Sequence, residues 1–173
     1  MKNDERVGAD MKRRKAVNRL IDLCEATAQD ITREDVRVEV DELFAALCPM
    51  ENSMAIRTIG IDIVSEDKKS MKAHQKIENE LFYNVEKIHN FCYFTIAFYH
   101  EIGHLMTMKY FKDHAIDKFM TQYKSASHDL ERYKMLPHEV LADNWSLGIY
   151  MPEHMEDVAA FDKRVRKLLK HIY

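Results

Sequence analysis

Apolar positions recur at helical spacing over residues 11–29, where Val17, Leu20, Ile21 and Cys24 predict a first helix. A second helix is expected from Thr32, an N-cap followed by Asp35, to about Leu47, with Pro49 as its stop. Its apolar stripe is Val36, Val40, Leu43, Phe44 and Leu47. Over residues 54–64 the period changes: Ile59, Ile61 and Ile63 alternate with Thr58, Gly60 and Asp62, which reads as a strand. The charged stretch 65–70 reads as a turn, and residues 80–85 are taken as a second strand because an isolated strand needs a partner. From 89 to 109 the chain is apolar almost all round, through Phe91, Phe94, Ile96, Ala97, Phe98, Ile102, Leu105 and Met106. A helix of that kind is the buried central one. Residues 110–136 are more polar and suit short helices and loops over the surface. Pro137 fits the first turn of a further helix ending near Pro152, and a last helix fills 155–171. The pattern describes one α+β domain over residues 1–173, mainly helical, with a small β-sheet beside a buried central helix.

Composition narrows the function classes. Hydrophobic residues make up 46% and charged residues 32% of the 173, enough to bury a core and against global disorder. Four glycines and three prolines favour long helices over a many-turned β-architecture. The net charge of −3 gives no general reason for direct nucleic-acid binding, and none is expected. The basic clusters Lys12–Lys15 and Lys163, Arg164, Arg166, Lys167 and Lys170 read as solvated helix faces. Cys24, Cys48 and Cys92 are odd in number and widely separated, so reduced thiols in a cytoplasm are expected rather than a disulfide framework or cysteine metal cluster. The first fifteen residues lack an apolar core, and the longest apolar run, 91–99, is about half of a membrane span. Neither a secretory signal nor a membrane association is expected.

The central helix carries His100-Glu101-Ile102-Gly103-His104, an HExxH motif. Histidines at i and i+4 stand one turn apart on one face, so both imidazoles can reach a single ion. Zinc takes nitrogen ligands at about 2.0–2.1 Å in a tetrahedron and, in catalytic sites, keeps one position for water. It lowers the pKa of that water toward about 7, and Glu101, beside the ligand face, is placed to take the proton. The apolar flanks sharpen this reading, because buried polar groups need partners and a cation supplies one.

A third ligand is sought downstream. Glu139 fits best, with Asp143 one turn later on the same face. Glu139 would complete two histidines and a carboxylate, while Asp143 could accept the other ring N–H of a ligand histidine and fix its orientation. His138 and His128 are rival ligands and His74 is a remoter one. Tyr99, Tyr110, Tyr123, Tyr133, His128 and Arg132 all suit stabilisation of an oxyanion, and the sequence does not choose among them. Gly103 costs roughly 1 kcal/mol relative to alanine inside a helix, which implies close packing of another backbone there, such as a sheet edge.

His100–His104 followed by Glu139-x-x-Ala142-Asp143-x-Trp145-x-x-x-Ile149-Tyr150-Met151-Pro152 resembles the ImmA/IrrE family of zinc metallopeptidases, which are gluzincin-like. Tyr93-Phe94-Thr95-Ile96-Ala97 is similar to that family's lead-in, and the likeness covers roughly residues 91–152. The resemblance implies Zn2+ held by His100, His104 and Glu139, with Glu101 as the catalytic base. It also implies site-specific cleavage of a regulatory protein, such as a helix-turn-helix repressor, by a phage or mobile-element hydrolase. Phe98 and Tyr99 stand where the family has alanine, Ser146 replaces another alanine, and 34 residues separate His104 from Glu139. These departures leave the ligands untouched and bear on which substrate the cleft takes. The alternative is a non-catalytic binding or anti-defence protein on the same scaffold. A peptide deformylase would require aspartate at Gly103 and a cysteine ligand in a glycine-rich segment, which Cys92 does not provide.

Overall fold

A computed structural model describes residues 2–41, 46–48, 53–57, 90–108 and 136–172 of the chain. Most of these residues are helical. The first helix, α1 (Lys2–Thr32), runs further in both directions than its apolar spacing predicts. Ala16, Leu20, Leu23, Cys24 and Ala28 form its buried stripe, whereas residues 10–15, including the basic cluster, are exposed.

Among the described residues of 32–47 the expected second helix is not found. Thr32 closes α1 instead of opening a helix: its hydroxyl donates to the Ala28 carbonyl at 2.8 Å and accepts the Glu34 N–H at 3.2 Å. Arg33 turns the chain in the left-handed region at φ 61°, a conformation that costs an L-residue roughly 1–2 kcal/mol. Its side chain bonds Asp30 at 2.9 Å. Strand β1 (Arg37–Asp41) follows. The reason lies in the run Val36-Arg37-Val38-Glu39-Val40, where β-branched and charged residues alternate strictly. That period of two prevails over the looser helical stripe. Val36 and Val38 are both buried, and the Val38 N–H is taken by Glu25 Oε1 of α1 at 3.1 Å.

Two short extended stretches, β2 (Ala46–Cys48) and β3 (Ser53–Arg57), pair in the order β1-β3-β2, with β1 parallel and β2 antiparallel to β3. The alternation at Ile59–Ile63, the strand expected at 80–85 and all but the last residue of the polar stretch 110–136 lie outside the described residues.

Helix α2 (Tyr93–Met108) is the expected central helix. Phe94, Phe98, Tyr99 and Ile102 bury one side in the core shared with α1 and the C-terminal helix. The run from Pro137 is continuous but not uniform: α3 (Pro137–Asp143), a π-helical segment (Asn144–Tyr150), and the short α4 (Met151–Glu153). His154 breaks the run at φ −118° before α5 (Met155–Leu169). Val158, Phe161, Val165 and Leu169 form the buried stripe of α5, while Lys163, Arg164, Lys167 and Lys170 are exposed.

Aspartate 162 is the exception on that stripe, a charged residue among apolar ones. Its Oδ1 accepts the Cys92 N–H at 2.8 Å and the Thr95 hydroxyl at 2.9 Å, at the start of α2. Its Oδ2 accepts Arg166 Nε at 2.6 Å, and Arg166 Nη2 also donates to the Asn90 carbonyl at 2.7 Å. A carboxylate there complements the positive end of the α2 dipole. Cys24 and Cys92 are buried free thiols, the latter pushed up to about 11 by burial. Among the described residues no helix is long and apolar enough to cross a membrane.

Candidate metal centre

The second side of α2 faces α3. Its approach is set by Gly103, where a Cβ would lie 2.4 Å from the Ala142 carbonyl oxygen and 3.0 Å from Ala142 Cα. The close backbone anticipated at this glycine is therefore present, but it belongs to helix α3 and not to a sheet edge. The Ala142 carbonyl also accepts the Ser146 hydroxyl at 2.8 Å, and Thr107 donates to the Gly103 carbonyl at 2.7 Å. Small residues thus bring two helix backbones together along the face that carries the histidines.

Across this contact the chemistry assembles. His100 Nε2 lies 3.1 Å from Glu139 Oε2, and His104 Nε2 lies 3.4 Å from Glu139 Oε1. One donor atom from each of the three side chains falls within 4.8 Å of the others, so the trio can hold a metal ion. A tetrahedron with metal–ligand bonds of about 2.0–2.1 Å has edges of about 3.3–3.4 Å. The His100 Nε2–Glu139 Oε2 separation of 3.1 Å is close to that edge length, whereas His104 Nε2 lies 3.4 Å from the other oxygen, Oε1.

Asp143 approaches the opposite edge of the first imidazole, with Oδ1 2.6 Å from His100 Nδ1. With the proton on Nδ1, His100 donates to Asp143 and keeps its Nε2 lone pair for a cation. Glu139 and Asp143 are 2% and 1% exposed, so both carboxylates sit out of water. Burial by itself raises the Glu139 carboxyl, but the facing His100 and His104 imidazoles together outweigh it and hold the group well below the usual carboxylate range.

Glu101 is buried beside His100 on the same helix. His138, one of the rival ligands, is also brought in: its Nε2 lies 3.3 Å from Glu139 Oε1, although it falls outside the trio. Burial lowers its pKa; Glu139 opposes that shift, and His104 and His100 add to it. Tyr99 is carried away from the ligands. Its ring is edge-on to Phe98 and Phe161 and stacks on Tyr150, and burial raises its pKa. His74, Tyr110, Tyr123, His128, Arg132 and Tyr133 lie outside the described residues.

The π-helical segment and the Asp162 cluster are absent from the sequence reading. In an α-helix residues i and i+5 point about 140° apart. Here Trp145 and Tyr150 stack at 4.9 Å, and Tyr150 continues the stack onto His154 at 4.2 Å. The wider turn brings the two aromatic residues onto one side immediately after the ligand-bearing helix, and such turns are frequent near functional sites. The one signal in the sequence was the aromatic spacing itself. Asp162 contacts residues some seventy positions earlier, which no local pattern announces. No protein-family model, curated protein or solved structure matches the chain.

Proposed function

We propose that the chain is a zinc-dependent endopeptidase that makes a site-specific cut in a regulatory protein, of which a helix-turn-helix repressor is the example suggested by the family resemblance. The observation that supports this reading is the convergence of His100, His104 and Glu139, one donor atom of each within 4.8 Å of the others, with Glu101 buried next to them. Two histidines and one carboxylate are a donor set of catalytic zinc sites, which keep a further position open. The zinc would supply Lewis acidity toward a water and toward the scissile carbonyl.

The remaining work falls to the chain's own groups. Glu101 takes a proton as a water oxygen adds to the carbonyl carbon, and delivers it to the amide nitrogen as the C–N bond breaks. Asp143 keeps His100 in one tautomer and one orientation. Apolar packing on one side of α2 and the close crossing with α3 at Gly103 on the other fix the spacing of these groups. The fold that goes with this reading is an α+β domain whose short strands form a small sheet beside the site helix; β2 and β3 both approach α2.

A binding protein on the same scaffold is the competing reading, and the exposed basic clusters at residues 12–15 and on α5 favour it, since they suit an acidic partner surface. Glu101→Gln separates the two. The variant should retain zinc and cut its partner about 10²–10⁴-fold more slowly. Unchanged cleavage would remove Glu101 as the base, and full biological activity without cleavage would favour the binding protein.

A further inference from the structure

His138 is a third imidazole at the centre, used neither as a ligand nor as a base. It is buried, its Nε2 lies 3.3 Å from Glu139 Oε1, and its ring centroid lies 5.8 Å from that of His104. The two oxygens of Glu139 therefore have different surroundings. Oε2 faces His100 Nε2 at 3.1 Å, whereas Oε1 sits near both His104 Nε2 at 3.4 Å and His138 Nε2 at 3.3 Å.

A carboxylate beside a cation can offer one oxygen or both. Offering both consumes the coordination position that a hydrolytic site keeps for water. An imidazole N–H directed at one oxygen engages its lone pairs and fixes the plane of the carboxylate. Consecutive helical residues point about 100° apart, so His138 stands beside Glu139 in the first turn of α3 and reaches the same carboxylate from its flank. Pro137 starts that turn and limits the freedom of the backbone there.

We infer that His138 is a positioning residue: it engages Oε1 of Glu139 and confines the carboxylate to ligation through Oε2. The inference rests on the metal centre proposed above and adds what keeps that centre open.

Cobalt(II) tests it, because the strength of its visible absorption distinguishes four from five ligands. The full chain, His138→Ala and His138→Gln are titrated with Co2+ alone, with circular dichroism to verify folding. The parent should take about one Co2+ per chain with the strong bands of a four-coordinate ion. His138→Ala should give the weaker bands of a five-coordinate ion and bind about 10–100-fold less tightly. His138→Gln, whose side-chain amide N–H can reach the same oxygen, should restore the parent spectrum. Parent-like bands and affinity in His138→Ala overturn the inference and leave the metal centre standing. Loss of the parent bands in folded His138→Gln as well also overturns it, since His138 would then be a ligand itself. A parent that takes no cobalt overturns the metal centre, and this inference with it.

Discussion

Asp143 shows how a single side chain sets the chemistry of its neighbour. At 2.6 Å from His100 Nδ1 it suits the tautomer with the proton on Nδ1, which turns Nε2 toward Glu139, and at 1% exposure it does so without competition from water. Removing it should weaken metal binding more than it weakens the fold. Asp143→Ala is expected to lower zinc affinity about 10–100-fold, and Asp143→Asn less, because the amide oxygen still accepts. Competition with a chelator of known affinity measures both. His100, His104, Glu139 and Asp143 were all legible in the sequence, because each pair repeats at i and i+4 and that spacing fixes which side chains share a helix face. His138 was legible only as a rival ligand, not as the imidazole beside Glu139 Oε1 that falls outside the trio. Which imidazole turns toward a carboxylate depends on how two helices cross, and spacing along one helix carries no such information.

Between elements, the crossing of α2 and α3 depends on an absent side chain. A Cβ at Gly103 would meet the Ala142 backbone at 2.4 Å, and backbone does not yield as a flexible side chain would. Gly103→Ala therefore should push the helices apart. A loss of about 1–3 kcal/mol is expected from overpacking, partly offset by the better helix propensity of alanine. Zinc affinity should fall with it, because His100 and His104 stand on one helix and Glu139 and Asp143 on the other. Urea denaturation and metal titration of the same variant check the two halves of this prediction.

The start of α2 is held from a different direction. Burial raises the Asp162 carboxyl, but the Arg166 guanidinium and hydrogen bonds from the Cys92 N–H and the Thr95 hydroxyl together outweigh it and lower its pKa. A carboxyl with a lower pKa when folded contributes stability above its unfolded value, about 3.9, and loses that contribution as the pH falls through the folded value. Asp162→Asn should therefore lower stability by about 1–3 kcal/mol at neutral pH and flatten the acid limb of the stability curve. Urea midpoints across the acid range measure it, and a limb as steep as the parent's would contradict the role of Asp162. Over residues 33–41 the chain folds as a turn and strand where the apolar spacing predicts a helix. Thr32 is equally suited by type to cap a helix or to close one, and the valines at 36, 38 and 40 satisfy both periods in part. Burial of Val36 and Val38 and the Glu25 bond to the Val38 N–H decide for strand, and those contacts come from α1, not from the local run.

Over the whole molecule the described helices divide the labour. α1 and α5 bury one side of α2 through Leu20, Cys24, Phe161 and Val165, leaving the other side to α3 and the π-helical segment. The site is thus supported by a packed core on one face and formed by a helix crossing on the other, an arrangement suited to holding ligands at fixed separations. The basic residues at 12–15 and Lys163, Arg164, Lys167 and Lys170 of α5 remain exposed at the surface rather than joining the site. Mainly helical character was readable from apolar spacing because the long helices bury single stripes. The π-helical segment was not, because its effect on phase emerges only where Tyr150 packs on both Tyr99 and Trp145.

The proposed centre requires His100, His104 and Glu139 to act together as one ligand set. Elemental analysis of the purified full chain, after dialysis with limiting zinc, tests it most directly when read beside His104→Ala. About one zinc per parent chain, with retention lost in the folded His104→Ala variant, is the predicted result. A parent chain without stoichiometric zinc, or a folded variant that keeps its zinc, would exclude this ligand set.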